Sequence, residues 1–155
     1  MYKRTCILII SLHIGSMFLG AWPTRADELL LPPKLTIVQP DSSIPPDVAA
    51  FSGKWVGVWD GKLSSVLVVQ KINPADGKGR YKSEVLYLWG TYSPWYIDKS
   101  GMREMDAEIK DGQLVAEFGR TRIRYQLSGD RSGLEGQYQV GGGRISAGTF
   151  KKVAD

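Results

Sequence analysis

The chain has 155 residues, with 20 Lys and Arg against 16 Asp and Glu, 18 glycines, one cysteine and one histidine. That length suits one domain and is short for two. A single cysteine excludes an internal disulfide framework, and the formal charge of +4 invites a nucleic-acid reading that the N-terminus then removes.

Residues 1–26 read as a secretory signal peptide. Lys3 and Arg4 supply the positive start, the run from Cys6 to Trp22 the apolar region, and Thr24-Arg25-Ala26 the small residues a signal peptidase inspects. Cleavage is expected after Ala26, giving an exported protein, periplasmic or secreted. The alternative is an uncleaved membrane anchor, for which the apolar run, interrupted by Ser11, His13 and Ser16, is short of a span of about 20 residues; after cleavage no stable membrane insertion is expected. Cleavage removes three of the 20 basic residues (Lys3, Arg4, Arg25) and no acidic one, so the formal charge falls to +1. No cation excess is left to neutralise phosphates, and nucleic acid is not an expected partner. Cys6 and His13 leave with the same segment. The remainder has no thiol nucleophile, no imidazole base and no His or Cys metal ligand, which excludes Ser-His-Asp and Cys-His catalysis and a conventional zinc site. The expectation is a protein that is not an enzyme, with no catalytic residue, metal or cofactor.

Residues 27–52 form a Pro-rich linker. Pro32, Pro33, Pro40, Pro45 and Pro46 fix the backbone repeatedly and favour extended geometry. Leu35-Thr36-Ile37-Val38 is an apolar island that either packs on the domain or docks to a partner. Residues 47–51 suit one helical turn over an end of the domain.

The barrel domain is expected over 53–155, because from Gly53 onward apolar and polar residues alternate with period two between turn residues. The pattern predicts strands over 53–60, 63–72, 80–89, 102–110, 113–119, 120–128, 134–140 and 144–153, with tight turns at Asp60-Gly61 and Asp111-Gly112. Eight amphipathic strands joined mostly by short turns bury their apolar face and remove their edges by closing. The fold class is therefore all-β, an eight-stranded antiparallel up-and-down barrel. An open or two-layer sheet is the alternative.

Gly53-Lys54-Trp55 resembles the G-x-W opening of lipocalin-type barrels. Residues 53–72 resemble the first hairpin of avidin-type barrels, and residues 148–153 their last strand. The GxWxGxW, LVV and YLWG elements together are similar to small barrel domains found alone or beside α/β-hydrolases in exported bacterial proteins. The T-D-Y turn and the C-terminal helix of lipocalins are absent. The resemblance implies a calycin-like barrel that binds a ligand.

Candidate ligand-binding residues fall in two sets. Trp55, Gly57, Trp59, Tyr87, Trp89, Tyr125 and Tyr138 lie on faces turned inward, where they line a pocket or fill the barrel. Gly57 and Gly136, each lacking a side chain, tilt this toward a cavity or else ease strand coiling. The 90–101 loop carries Tyr92, Trp95, Tyr96 and Ile97 around Pro94, and is longer than a hairpin needs. Trp95 and Tyr96 there contribute to a binding rim, or the loop plugs one barrel end. The rows Glu104, Asp106, Glu108 and Arg120, Arg122, Arg124 suit solvated strand faces. The expected partner is a small apolar or amphipathic molecule; the alternative is a protein partner bound by a barrel with a solid core.

Overall fold

The structure is a computed structural model that describes residues 29, 31–32, 34–75, 79–143 and 145–154. The signal-peptide reading of 1–26 lies outside the described residues. A short helix, α1 (Pro46–Ala49), precedes eight strands: β1 (Gly53–Trp59), β2 (Leu63–Pro74), β3 (Tyr81–Trp89), β4 (Gly101–Lys110), β5 (Gln113–Phe118), β6 (Thr121–Leu127), β7 (Gly133–Val140) and β8 (Ile145–Val153). Each strand pairs antiparallel with the next, and β8 returns to β1 from Lys54 opposite Val153 to Trp59 opposite Gly148. The sheet is thus a closed up-and-down barrel, and closure satisfies the outer backbone groups of the first and last strands.

Turn chemistry sets the register. Asp60 and Gly61, and again Asp111 and Gly112, hold positive φ, the conformation that lets a hairpin follow strand twist. The boundary expected between residues 119 and 120 is drawn differently. Phe118 pairs with Thr121, and Gly119-Arg120 forms the turn, with Gly119 at φ +56°. A hairpin cannot reverse between adjacent residues, so two had to leave the strands.

The barrel is solid where the rings are largest. Trp55, Trp59, Leu63, Leu67, Ile109, Leu114, Ile123, Tyr125 and Leu134 are buried to within 1% of full enclosure. The Trp59 ring lies 5.2 Å from Phe150, 5.9 Å from Tyr125 and 5.6 Å from Tyr138, centroid to centroid. Gly57 and Gly136 do not open a cavity beside these rings, contrary to the expectation from sequence. A Cβ at Gly136 would stand 2.6 Å from the Trp59 ring, and one at Gly57 would stand 2.1 Å from the Thr149 carbonyl oxygen and 2.6 Å from the Phe150 ring. Gly148, also facing the interior, meets Trp59 at 2.5 Å. The missing side chains make room for neighbouring rings.

One end of the barrel is closed by residues 44–52. Ile44, Val48 and Phe51 belong to the core cluster, and the Trp55 indole N–H donates to the Phe51 carbonyl at 2.9 Å. The outer face of β2 and β3 is covered too. Leu29, Leu31, Leu35 and Ile37 pack on Val66, Val68, Leu86 and Leu88, and Val38 N–H donates to Gln70 O at 2.7 Å. This explains why β2 departs from plain alternation: residues buried on both faces of a sheet read as a continuous apolar run.

The ring packing predicts that Gly136→Ala destabilises the protein by about 1–3 kcal/mol through overpacking. Gly129→Ala, where an added Cβ meets nothing within 4 Å, is expected to be neutral. Urea unfolding midpoints check both, and an unchanged midpoint for Gly136→Ala would show that Trp59 has room to move.

Candidate functional site

Strand direction alternates, so the turn after β1, the loop after β3, the turn after β5 and the turn after β7 share one end of the barrel. This end is the mouth. The loop between β3 and β4 is ordered by its own backbone. Tyr92 N–H donates to Ile97 O at 2.8 Å and Ile97 N–H returns to Tyr92 O at 3.2 Å. Between them Pro94 sets the first turn of a short 3-10 segment, Ser93–Trp95, and Tyr96 follows in the left-handed conformation at φ +57°. The loop lies against β7, where Trp95 stacks on Tyr138 with centroids 5.7 Å apart and planes 28° apart.

Beside that stack is an open cleft of about 740 Å³, lined by Tyr92, Trp95, Tyr138, Asp60, Lys62 and Ser146, with Pro94, Tyr96, Ile97 and Val140 at its margins. Its walls are aromatic rings, and its polar groups are one carboxylate, one ammonium and hydroxyls. Asp60 is fixed by β8: its N–H donates to Ala147 O at 2.7 Å and its carboxylate accepts from Ala147 N at 3.1 Å. Such a site can hold a flat apolar body by ring contact and a polar end by charge or hydrogen bond.

Beneath the cleft the polar groups of Trp59, Tyr87 and Ser65 are paired with one another. The Trp59 indole N–H donates to Tyr87 Oη at 2.9 Å, and Ser65 Oγ lies 3.2 Å from the same oxygen. Burial pushes the Tyr87 phenol up to about 12, against the smaller opposing pull of its bonds to Ser65 and Trp59. Burial also holds the Tyr125 phenol well above its ordinary value, and its hydroxyl has no hydrogen-bond partner among the described residues.

Of the nine residues singled out from sequence, the cleft brings together Trp95, Tyr96 and Tyr138. Trp55, Trp59, Tyr87 and Tyr125 are packed in the core, and Gly57 is covered by Phe150. Trp89 is half-buried, stacks on Tyr87 at 5.8 Å and covers the backbone of Gly101. Asp60, Lys62, Val140 and Ser146 complete the cleft without having been singled out. The alternation of strand directions is the signal that places them beside the long loop.

The charged rows lie on the outer face. Arg122 pairs with Glu117 and Arg80 with Glu108, each through the guanidinium Nε. These pairs are exposed and contribute little, about 0–1 kcal/mol each.

No protein-family model matches the chain, and no curated protein matches it. Among solved structures, the chain is similar to zebrafish ileal bile acid-binding protein, crystallised with cholic acid. The two share 13% identity with a TM-score of 0.36, over 67% of this chain and 99% of that one.

The buried phenols generate a pH prediction. A tyrosine whose folded pKa is raised contributes stability that is complete below its ordinary value of 10.0 and is lost as pH rises through the folded value, about 12 for Tyr87. An alkaline titration followed by phenolate absorbance checks this. Tyr87 and Tyr125 are expected to ionise only at higher pH, together with unfolding. Ionisation of Tyr87 and Tyr125 with the fold intact would contradict the packed interior.

Proposed function

We propose that the protein is an exported, non-catalytic, calycin-like barrel that binds a small amphipathic molecule in the cleft at its mouth, outside the barrel interior. The observation that carries this reading is the cleft itself. Tyr92, Trp95 and Tyr138 form its apolar wall, and Asp60, Lys62 and Ser146 offer polar contacts. Its volume of about 740 Å³ lies in the range of small-molecule sites, about 300–1,000 Å³. Trp95 and Tyr138 hold the body of the ligand beside their stacked rings, Lys62 attracts an anionic end, and Tyr96 stands at the rim. The packed core supports the site from below, because Tyr138 rests on Trp59. Export and the absence of catalysis rest on the reading of residues 1–26 and on what their removal takes away.

A second reading, a protein-interaction module, is favoured by the packed interior, since a solid barrel has no deep ligand site. The two separate in one experiment. The fluorescent probe 1-anilinonaphthalene-8-sulfonate has a flat apolar body and an anionic end. The full chain is expected to bind it saturably at one site, with at least a tenfold loss of affinity in Trp95→Ser and a smaller loss in Lys62→Ser. Tyr125→Phe is expected to leave binding unchanged. Absence of saturable binding, or binding indifferent to Trp95→Ser, would remove the cleft reading and leave the protein-interaction module.

A further inference from the structure

We propose that the mouth of the barrel also docks on an anionic lipid surface, through a rim that shares Lys62, Tyr96 and Val140 with the cleft. Five large hydrophobic residues are exposed among those described, and four of them stand at this end: Tyr96, Met102, Val140 and Ile145. They come from the loop before β4, the first turn of β4, the end of β7 and the start of β8. These segments surround the mouth, so the apolar tips form a rim rather than one contiguous patch. A convex rim of separate tips suits a fluid interface, which needs no shape complementarity, better than a rigid protein groove.

Tyr96 adds an independent sign. It is 92% exposed and holds φ +57°, a conformation that glycine adopts freely and a tyrosine adopts at a cost. The paired bonds between Tyr92 and Ile97, and the bond from Tyr96 N–H to Ser93 O at 2.8 Å, hold this backbone in place, with the ring exposed at the edge of the cleft. An aromatic residue kept outward at the expense of both strain and exposure gains its contact elsewhere. Tyrosine suits the headgroup layer, where its ring is buried and its hydroxyl stays wet.

Charge selects the lipid. Lys62, Lys99 and Arg120 stand on the same end with none in an ion pair among the described residues, and Arg103 stands there with its guanidinium 4.9 Å from the centre of the Phe118 ring. The carboxylates near them are Asp60, Asp98 and Glu104, of which Asp60 is drawn back to accept from Ala147 N. Long Lys and Arg stems reach past short aspartates, lie along the apolar tips and place their charges at the headgroups. No helix among the described residues is long and apolar enough to cross a membrane, and docking through the rim requires none.

Hydrogen exchange of the full chain, read peptide by peptide, tests this with vesicles of phosphatidylcholine alone and of phosphatidylcholine mixed with phosphatidylglycerol. Residues 92–103 and 139–146 are expected to be protected on the mixed vesicles, and far less on phosphatidylcholine. Tyr96→Gly, which relieves the left-handed residue and so keeps the fold, is expected to abolish protection of 92–103. Lys99→Glu with Arg120→Glu is expected to weaken vesicle binding about fivefold for each cation removed, while 1-anilinonaphthalene-8-sulfonate still binds the cleft. Vesicle binding that protects neither region would place the attachment elsewhere in the chain and overturn the proposal. No vesicle binding at all would equally overturn it and point to a protein as the partner of the rim.

Discussion

The Trp59 indole is the part on which the rest of the molecule depends. An eight-stranded barrel is narrow, and one indole with two neighbouring rings fills its cross-section. Here the fit is made by absence: Gly136 and Gly148 supply no Cβ where the Trp59 ring lies, and Gly57 supplies none where Phe150 lies. The indole N–H, enclosed with the ring, needs an acceptor, and Tyr87 Oη provides it. Ser65 lies within bonding distance of that hydroxyl in turn. A packing requirement thus recruits a polar pair, and the pair ties β1 to β3 across the interior.

A filled barrel moves function to its ends and its outside. The end beneath β1 is closed by aliphatic and phenyl groups from residues 44–51, and the outer face of β2 and β3 is covered by Leu29, Leu31, Leu35 and Ile37. Both surfaces are covered, and where they meet β8 a smaller cleft of about 350 Å³ is left beside Ile37, Ala49, Ser52 and Lys152. The mouth is different: its covering loop is aromatic, it leaves an open cleft beside Tyr138, and it keeps Tyr96 in water. The ring sequence Phe150, Trp59, Tyr138, Trp95, Tyr92 runs without a break from the centre of the core to that loop. The loop is therefore positioned by the core rather than merely attached to β3 and β4.

The barrel was legible because period-two alternation and Asp-Gly turns are local signals, and closure follows from the cost of free edges. The Gly119-Arg120 turn was less so, since the alternation runs through it and only the pairing of Phe118 with Thr121 reveals it. The role of the interior glycines was misread for a related reason. A glycine on an inward face says that a side chain is missing, but whether a void or a neighbour's ring stands there depends on contacts between β1, β7 and β8, far apart in sequence. The long aromatic loop was visible as a candidate, and Trp95, Tyr96 and Tyr138 were singled out. Asp60 was legible only as a turn residue, and Lys62 and Ser146 were not singled out, because nothing local ties them to the distant loop they face. Likewise, Leu35 and Ile37 announced an apolar island without naming the strands it covers.

The central claim is that binding takes place at the mouth and leaves the interior closed. Nitrogen–proton correlation spectra of the labelled full chain, recorded with and without 1-anilinonaphthalene-8-sulfonate, test it residue by residue. The indole N–H of Trp95 and the amides of residues 92–97 are expected to shift, while the indole signals of Trp55 and Trp59 stay in place, each held by its bond to Phe51 or Tyr87. A shift centred on Trp59, with Trp95 unmoved, would mean that the ligand enters the barrel and that the interior is not solid in solution.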